Sequence, residues 1–281
     1  MHDDHERSRL TALCSYQVLD TDPVAPLDNL TALAAQICDA PISLVSLVDE
    51  RRQWFLSRFG LEPRETPREH AFCAHAISNP DLFEVHDAAA DARFATNPLV
   101  TGAPNIRFYA GMPLRNEDGF ALGTLCVIDR RPRTLTSAQR GALRALRDFV
   151  MAHLELRRKT LQLGQAERRS REIIDNSLGL ICVHGLDGTL RQVNPAAANA
   201  LLHSPEDMVG RPLTEFMRPE DAHHIIEYLA RLADLGRDEG LLPVLRRDGV
   251  RRVWRYKSAI SHIAGEEPLV VGHALDVTDD G

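Results

Sequence analysis

Cysteine thiols are the side chains of this chain with the most distinctive chemistry, since a thiolate can act as nucleophile, redox partner or metal ligand. The chain has five of them, Cys14, Cys38, Cys73, Cys126 and Cys182. No two have CxxC spacing, and an odd number fits a disulfide framework poorly. All except Cys73 lie in apolar helix or strand patterns, so we expect buried, reduced thiols at those four positions.

Cys73 lies two residues before His75, and the pair could belong to a metal site or a thiol reaction. On a helix, residues two apart point about 200° away from each other, which argues against joint metal binding. We therefore expect no metal site. A packing contact is the simpler interpretation of both side chains.

Arg107 and Tyr109 form a second group of candidates, because alternate residues of a strand share one face. Together they could hydrogen-bond a polar small molecule. Alternatively, Arg107 pairs with a loop carboxylate such as Asp91, and Tyr109 only supports the sheet. The sequence leaves both interpretations open.

Composition limits the classes of function. With 281 residues, 44% of them apolar, the chain can bury one large core or two ordinary ones. A net charge of −7 argues against a nucleic-acid surface. The apolar stretches are of strand length, and the charged N-terminus lacks a signal-peptide core. We therefore expect a cytoplasmic protein with no membrane partner.

The elements that would position these side chains follow from local patterns. Helical spacing at 27–37 is followed by two apolar runs at 42–48 and 53–59 that predict strands. Two further runs, at 107–114 and 121–128, flank Asp118-Gly119. This dipeptide is a strong hairpin signal, because glycine tolerates the positive φ of the turn. Helices, antiparallel strands and a further long helix predict an α+β architecture.

The first half resembles bacterial sensory GAF domains, from about residue 8 to 155 and in the order of that family. The strings that carry the resemblance include Ser46-Leu47-Val48-Asp49, Gln53-Trp54-Phe55, Phe72-Cys73-Ala74-His75, Asn97-Pro98-Leu99-Val100, Arg107-Phe108-Tyr109-Ala110-Gly111 and Leu122-Gly123-Thr124-Leu125. The resemblance implies a six-stranded antiparallel sheet with helices on one face and a small-molecule pocket on the other. We expect an N-terminal helix in 1–24 and a GAF-like domain in 25–155. Its pocket candidates are Cys73, His75, Arg107 and Tyr109.

The resemblance does not identify the ligand. The Asn-Lys-Phe-Asp-Glu signature of cyclic-nucleotide GAF domains does not occur in the sequence. Bilin-binding members use a Cys-His dipeptide, whereas this chain has Cys73-Ala74-His75, which argues against covalent bilin attachment. GAF proteins that reduce free methionine sulfoxide use an attacking and a resolving thiol. Cys73 and Cys126 would serve if the fold brings them together, so such an enzyme is one alternative.

A long helix is predicted over 136–177, overlapping the end of the GAF-like domain. Thr136 and Gln139 have the spacing of a capping box at its start. An apolar stripe from Leu143 to Leu161 predicts that its first half packs on the GAF-like sheet. Such linkers usually form a parallel dimer seam in this architecture, so we expect a homodimer. The alternative is a monomer whose helix only spaces two domains.

The second half, 178–281, resembles a PAS domain: two strands, several short helices and three more strands. The resemblance rests on Asp187-Gly188, Val193-Asn194-Pro195-Ala196-Ala197, Met208-Val209-Gly210, Pro219-Glu220-Asp221, Arg247-Asp248-Gly249 and Asp276-Val277-Thr278. The predicted fold is therefore α+β, with two antiparallel-sheet sensor domains, GAF-like then PAS-like, joined by a long helix.

Cofactors of PAS domains can be compared with the sequence in the same way. Flavin-binding members carry an Asn-Cys-Arg-Phe-Leu string, whereas Asn199-Ala200-Leu201-Leu202 here has no cysteine, which argues against flavin. Haem-binding members use a histidine on the long helix, where His223 and His224 lie. An empty core is the preferred expectation. The pocket candidates are His223, His224, Tyr228 and Trp254.

Asp276 and Thr278 belong to the segment that, in PAS domains, leads into an output helix. We expect these two residues to relay a signal to an output domain or protein, as in histidine kinases and diguanylate cyclases. No kinase, nucleotide-loop or cyclase signature occurs in the sequence, so we expect no catalytic domain in this chain. The predicted function is sensing a small molecule or redox state in bacterial signal transduction. A ligand-free dimerisation scaffold is a further alternative.

Overall fold

The computed structural model describes residues 2–263, 265 and 267–278, and the chain divides into two compact units between residues 163 and 164. Each unit contains an antiparallel sheet, and one long helix, α5 (Ser137–Asp175), begins in the first unit and ends in the second. The predicted α+β architecture, two antiparallel sheets joined by a long helix, is confirmed.

The N-terminal unit is built on a six-stranded sheet with the order β3-β2-β1-β6-β5-β4. Its strands are β1 (Ile42–Val48), β2 (Arg52–Phe59), β3 (Glu65–Pro67), β4 (Phe83–Val85), β5 (Phe108–Arg115) and β6 (Ala121–Asp129). Its helices before α5 are α1 (His2–Ser15), α2 (Ala25–Cys38), α3 (Phe72–Ala76) and α4 (Pro98–Thr101). The six-stranded sheet implied by the resemblance is therefore confirmed.

Both faces of this sheet are covered. Every residue of β1 is buried: Val45 and Leu47 face the layer formed by α1, α2 and α5, while Ile42 and Leu44 face α3 and the adjoining loops. Continuous apolar strands are the pattern expected for a sheet buried on both sides. The predicted hairpin is present, with β5 paired to β6 and Gly119 at φ 84° in the turn.

Helix α5 starts with the predicted capping box. The Thr136 N–H donates to Gln139 Oε1 at 3.0 Å, and the Gln139 N–H donates to Thr136 Oγ1 at 3.2 Å. The first half of the helix packs into the N-terminal core, as predicted. The residues that do so are Leu143, Leu146, Val150, Met151 and Leu154.

The C-terminal unit has a five-stranded sheet with the order β8-β7-β11-β10-β9. Its strands are β7 (Leu180–Gly185), β8 (Leu190–Val193), β9 (Arg237–Leu245), β10 (Arg251–Ser261) and β11 (Leu269–Asp276). Its helices are α6 (Pro195–Ala200), α7 (Pro205–Met208) and α8 (His223–Leu235). Two strands, short helices and three strands follow one another as predicted.

The fully buried side chain of Asn194 ties the end of α5 to this unit. Its Oδ1 accepts from the Ile181 and Ala197 N–H groups at 3.0 Å, and its Nδ2 donates to the carbonyl oxygens of Gly179 at 2.9 Å and Ile174 at 3.2 Å. One amide therefore caps α6 and holds both β7 and the last turn of α5.

Two further observations concern the helices. The prediction that Cys14 is buried is wrong, because Leu13 faces the core and Cys14, one position further around α1, is exposed. Within the described ranges, the helices are all too short or too polar to cross a bilayer.

Candidate functional site

A cavity of about 100 Å³ lies on the α3 side of the N-terminal sheet. Its lining is mostly apolar and includes Phe55 and Phe72. Two buried polar atoms of the lining residues, Gln53 Oε1 and Thr66 Oγ1, have no hydrogen-bond partner among the described residues. Gln53 and Thr66 are directly opposite each other on β2 and β3. A small, largely apolar molecule with a hydrogen-bond donor suits this lining.

Two of the predicted pocket residues, Cys73 and Tyr109, also line this cavity. Together with Thr124 and Cys126 they form a fully buried group that we call the thiol cluster. The Tyr109 hydroxyl donates to Cys73 Sγ at 3.2 Å, and the Thr124 hydroxyl donates to the same sulfur at 3.0 Å. The sequence could not show that Cys73 and Cys126 are neighbours, because one comes from α3 and the other from β6.

The other two N-terminal candidates, His75 and Arg107, do not line the cavity. His75 lies edge-on to the Phe94 ring, with centroids 4.9 Å apart, and burial together with nearby Arg93 lowers its pKa. Arg107 donates to the carbonyl oxygens of Val100 and Ile106. Both side chains therefore make local contacts.

The suggested pairing of Arg107 with Asp91 is not what the structure shows. Asp91 pairs with Arg93, whose Nε donates to Asp91 Oδ1 at 2.9 Å. Arg93 is only two residues from Asp91 in the chain, so this nearer arginine, and not Arg107, pairs with the carboxylate.

A second cavity, of about 70 Å³, lies inside the C-terminal unit. Apolar side chains form most of its wall, and Tyr228 and Trp254, both predicted, are among them. Trp254 Nε1 is buried and has no hydrogen-bond partner among the described residues. The cavity wall therefore carries a donor, and a molecule with an acceptor atom would satisfy it.

His184 is a buried polar residue of this wall that sequence reasoning missed. It is 1% exposed; its Nε2 lies 2.8 Å from the Tyr228 hydroxyl and its Nδ1 lies 2.7 Å from the Gly185 carbonyl oxygen. A neutral ring that donates from Nδ1 and accepts from Tyr228 satisfies both contacts. Burial lowers the pKa of His184, which keeps the ring neutral near pH 7.

Comparison with known families agrees with these two architectures. Residues 22–154 match the family model of the GAF domain, and residues 174–280 match the model of a PAS fold. The chain contains a GAF domain followed by a PAS domain.

Two curated relatives come from Pseudomonas aeruginosa. The chain is 42% identical over 156 residues to a cyclic di-GMP phosphodiesterase, which is 55% of this chain and 27% of that protein. It is 37% identical over 75 residues to the two-component sensor PprA, which is 27% of this chain and 8% of that protein. The chain thus spans about a quarter, or less, of the length of these relatives.

A similar solved structure is the PAS domain of an HTR-like protein from Haloarcula marismortui. It has 24% sequence identity and a TM-score of 0.39, and it covers 42% of this chain and 98% of that one.

The histidines of α8 lie away from the PAS cavity. His223 is exposed, and its Nδ1 is 2.8 Å from the Glu220 carbonyl oxygen at the start of the helix. His224 is partly exposed, and neither ring lines the cavity. The useful signal was instead a histidine inside the apolar strand 180–184, since a buried ring in a strand needs polar partners.

Asp276 and Thr278 close the PAS sheet. The Thr278 hydroxyl donates to the Asp276 carboxylate and also accepts from the Val253 N–H at 3.0 Å. The Val277 N–H donates to the Val253 carbonyl oxygen at 2.9 Å. These bonds fix the direction in which the chain leaves β11.

Proposed function

We propose that this chain is a sensory module of a bacterial signalling protein, in which the GAF and PAS domains control an output domain or partner through helix α5. The names of the two curated relatives, a phosphodiesterase and a two-component sensor, support a signalling role. The observation that carries the proposal is the attachment of α5 at both ends. Its first half is part of the GAF core, and its last turn is bound by Asn194 of the PAS domain.

The signal in this scheme is a small molecule or a redox change that favours one state of a domain. Each domain has its own cavity with unpartnered polar atoms, which supports two separate inputs. A ligand can shift the equilibrium only by its difference in affinity between the two states. Haem held by His223 or His224 is not part of the proposal, because neither histidine lines the PAS cavity.

Transmission also involves a homodimer in this proposal. Three exposed apolar residues of α5, Phe149, Leu156 and Leu163, are spaced seven apart and are 65%, 66% and 72% exposed. Exposed alanines at 145, 152 and 166, together with Lys159 and Ile173, occupy the complementary heptad positions. A stripe of this periodicity is complementary to a second copy of itself, as in a two-stranded coiled coil. The cytoplasm, where thiols stay reduced, is the proposed location.

Sedimentation equilibrium tests the dimer. We expect Leu156→Glu to weaken dimerisation at least about tenfold, because it places two carboxylates in an apolar seam. Gln165→Glu is the matched control, since it adds the same charge at an exposed position outside the stripe. Equal dimerisation of wild type and Leu156→Glu would exclude this seam.

Insertions into α5 test the relay itself. An output enzyme is fused after residue 281, and either one or seven residues are inserted after Gln165. One residue rotates the following helix by about 100°, whereas seven rotate it by about 700°, which nearly restores its phase. We expect the single insertion to change the output several-fold and the seven-residue insertion to leave it close to wild type. Identical output from all three proteins would contradict a relay through α5.

A thiol reductase is the second candidate function, and the presence of Cys73 and Cys126 in one buried cluster favours it. Reduction of methionine sulfoxide by two thiols yields methionine, water and a disulfide. The assay is consumption of free methionine sulfoxide in the presence of a reductant. Activity that is lost in Cys73→Ser supports the enzyme, and an inactive wild type excludes it.

A further inference from the structure

The thiol cluster is a polar group placed in an otherwise apolar core. Tyr109 of β5 and both Thr124 and Cys126 of β6 are on the same face of the sheet, and Cys73 of α3 lies above them. All four are at most 1% exposed. Burying hydroxyls and thiols together is unfavourable unless they bind one another, so their arrangement is specific.

The hydrogen bonds of the cluster converge on one sulfur. The Tyr109 and Thr124 hydroxyls lie 3.2 and 3.0 Å from Cys73 Sγ and 3.3 Å from each other, so the sulfur is the acceptor that both can reach. Cys126 belongs to the same buried cluster, and its interaction with Cys73 also lowers the pKa of Cys73. Burial alone would raise the pKa of Cys73, but these donors outweigh it and lower the pKa. The pKa of Cys126 is raised by its burial and by its bond to Cys73.

Another buried thiol of the same domain shows the difference that the donors make. Cys38 is fully buried on the opposite side of the sheet, where burial raises its pKa to about 11. Cys73 is equally inaccessible from bulk solvent, but its anion has hydrogen-bond donors. Reactivity of a thiol follows its thiolate fraction, so Cys73 and not Cys38 has the environment of a nucleophile.

Gly111 makes room for the key donor. A Cβ at this position would lie 2.2 Å from Tyr109 Oη, and Gly111 is directly opposite Cys126 in the β5–β6 pair. The tyrosine ring can therefore lie across β5, with its hydroxyl within hydrogen-bond distance of Cys73. Only glycine permits this position of the ring.

The cavity distinguishes the roles of the two cysteines. Cys73 and Tyr109 line it, whereas Cys126 is not among its lining residues. Its volume of about 100 Å³ leaves room for a small oxidant such as hydrogen peroxide. A small oxidant in the cavity would meet Cys73 first, with Cys126 behind it.

We propose that Cys73 and Cys126 are a peroxide-oxidised dithiol, with Cys73 as the attacking and Cys126 as the resolving thiol. The sulfur of Cys73 attacks one oxygen of hydrogen peroxide, the O–O bond breaks, and the leaving hydroxide takes the Cys73 thiol proton to become water. The sulfur of Cys126 then displaces hydroxide from the sulfenic acid, forming the S–S bond, and the Cys126 proton completes a second water. Two thiols and one peroxide thus give one disulfide and two waters. A reducing dithiol reverses the change.

Oxidation of this pair would reach the helix that the proposed function uses. The disulfide would draw α3 towards β6 and remove the acceptor of the Tyr109 and Thr124 hydroxyls. Strand β6 carries Leu125 and Val127 on its other face, in the core that contains Leu143 and Val150 of α5. The inference rests on the proposed function for its purpose, since it names a peroxide as the signal, but the chemistry can be tested separately.

Mass-spectrometric mapping of the full chain tests the chemistry. The reduced protein is treated with hydrogen peroxide, alkylated while denatured and digested. We expect a Cys73–Cys126 disulfide in wild type and, in Cys126→Ser, a sulfenic acid at Cys73 that dimedone traps. Cys38→Ser is the matched control, a buried thiol outside the cluster, and should form the disulfide at the wild-type rate. Tyr109→Phe should slow it about tenfold by removing one donor to the thiolate.

The products that wild type forms with peroxide are sufficient to test the dithiol proposal, without any variant. Oxidation confined to the exposed Cys14, or over-oxidation of Cys73 with no disulfide, would overturn the proposal. The relay is judged separately by the insertions into α5. A disulfide that forms while the insertions have no effect supports the dithiol and removes its proposed role in signalling.

Discussion

The GAF and PAS domains both rest on an antiparallel sheet, yet the two sheets occupy different positions in their domains. In the GAF domain, β1 is buried along its whole length and lies between two layers of side chains. In the PAS domain, β11 alternates between buried and exposed residues, so one face of the sheet packs on the core and the other meets solvent. Continuous and alternating burial are the two patterns available to antiparallel strands.

The buried polar groups differ accordingly. The GAF domain places sulfur and hydroxyl groups in the middle of its core, in contact with one another and beside a small cavity. The PAS domain uses a histidine and a tyrosine in the wall of a cavity that divides its core. A sheet covered on both sides leaves little room for side chains to shift, whereas a sheet that forms one wall of a cavity can accommodate such shifts.

Glycine substitutions in the two central strands should separate the domains most clearly. A Cβ at Gly123 would lie 1.9 Å from the Ser46 carbonyl oxygen, a backbone atom held in the sheet. A Cβ at Gly272 would lie 3.2 Å from Ser258 Oγ, a side-chain atom that can move. We expect Gly123→Ala to destabilise the GAF domain by at least about 3 kcal/mol and Gly272→Ala the PAS domain by about 1 kcal/mol.

Urea unfolding measures both losses, because each domain has its own tryptophan, Trp54 or Trp254. Replacing one of them with phenylalanine makes the other the reporter of its domain. Gly141→Ala is the control, since nothing lies near a Cβ at that exposed helical position and alanine favours helix. Equal losses at Gly123 and Gly272 would show that the comparison of the two sheets is wrong.

Removing the buried tyrosine hydroxyls should have a smaller effect. Tyr228→Phe leaves His184 Nε2 without its hydroxyl partner, and we expect a loss of about 1–2 kcal/mol. Tyr109→Phe should be milder, at about 0.5–1 kcal/mol, because Thr124 still donates to Cys73. The same unfolding experiment compares them. A larger loss for Tyr109→Phe would mean that the thiol cluster supports the fold more than the histidine pair does.

Of the three kinds of change, the glycine substitutions, the tyrosine substitutions and acid, we expect acid to have the smallest effect, which is a loss of PAS-domain stability. Burial lowers the pKa of His184 below the value of about 6.5 found in unfolded chains, so the unfolded state binds the proton more readily. Stability should be complete above pH 6.5 and should fall, by at most about 1.4 kcal/mol per pH unit, as the pH drops towards the folded pKa.

The His184→Gln variant should show a flatter dependence of stability on pH. Only this slope, and not the free energy of unfolding itself, is compared with wild type. His203 is the matched control, because its pKa is also lowered, by burial and by Arg247 and Arg211, but it is partly exposed and lies outside the His184–Tyr228 pair. His203→Gln should therefore keep most of the slope. An unchanged slope in His184→Gln would show that the pH dependence does not come from a difference in His184 protonation between the folded and unfolded states.

Much of the fold was predictable because its signals are local. The Asp118-Gly119 hairpin, the Thr136–Gln139 capping box and the packing of Leu143 to Leu154 all depend on residues near one another in the chain. The candidate sites were less predictable. Cys73, Tyr109, Tyr228 and Trp254 do line cavities, whereas His223 and His224 do not. Helical periodicity indicates which face of a helix is apolar, but it does not show whether residues at the end of the helix, such as His223 and His224, reach a cavity.

By itself, the sequence determined the order of the elements and the two domain types, since periodicity, turn glycines and capping residues act over a few positions. Only the tertiary structure decided which polar side chains meet. Cys73 reaches Thr124, 51 positions away, because α3 packs on the face of the sheet to which β6 directs Cys126 and Ile128. His184 reaches Tyr228, 44 positions away, because α8 packs on the sheet to which β7 belongs. Such contacts depend on packing between distant segments, and no local pattern encodes them.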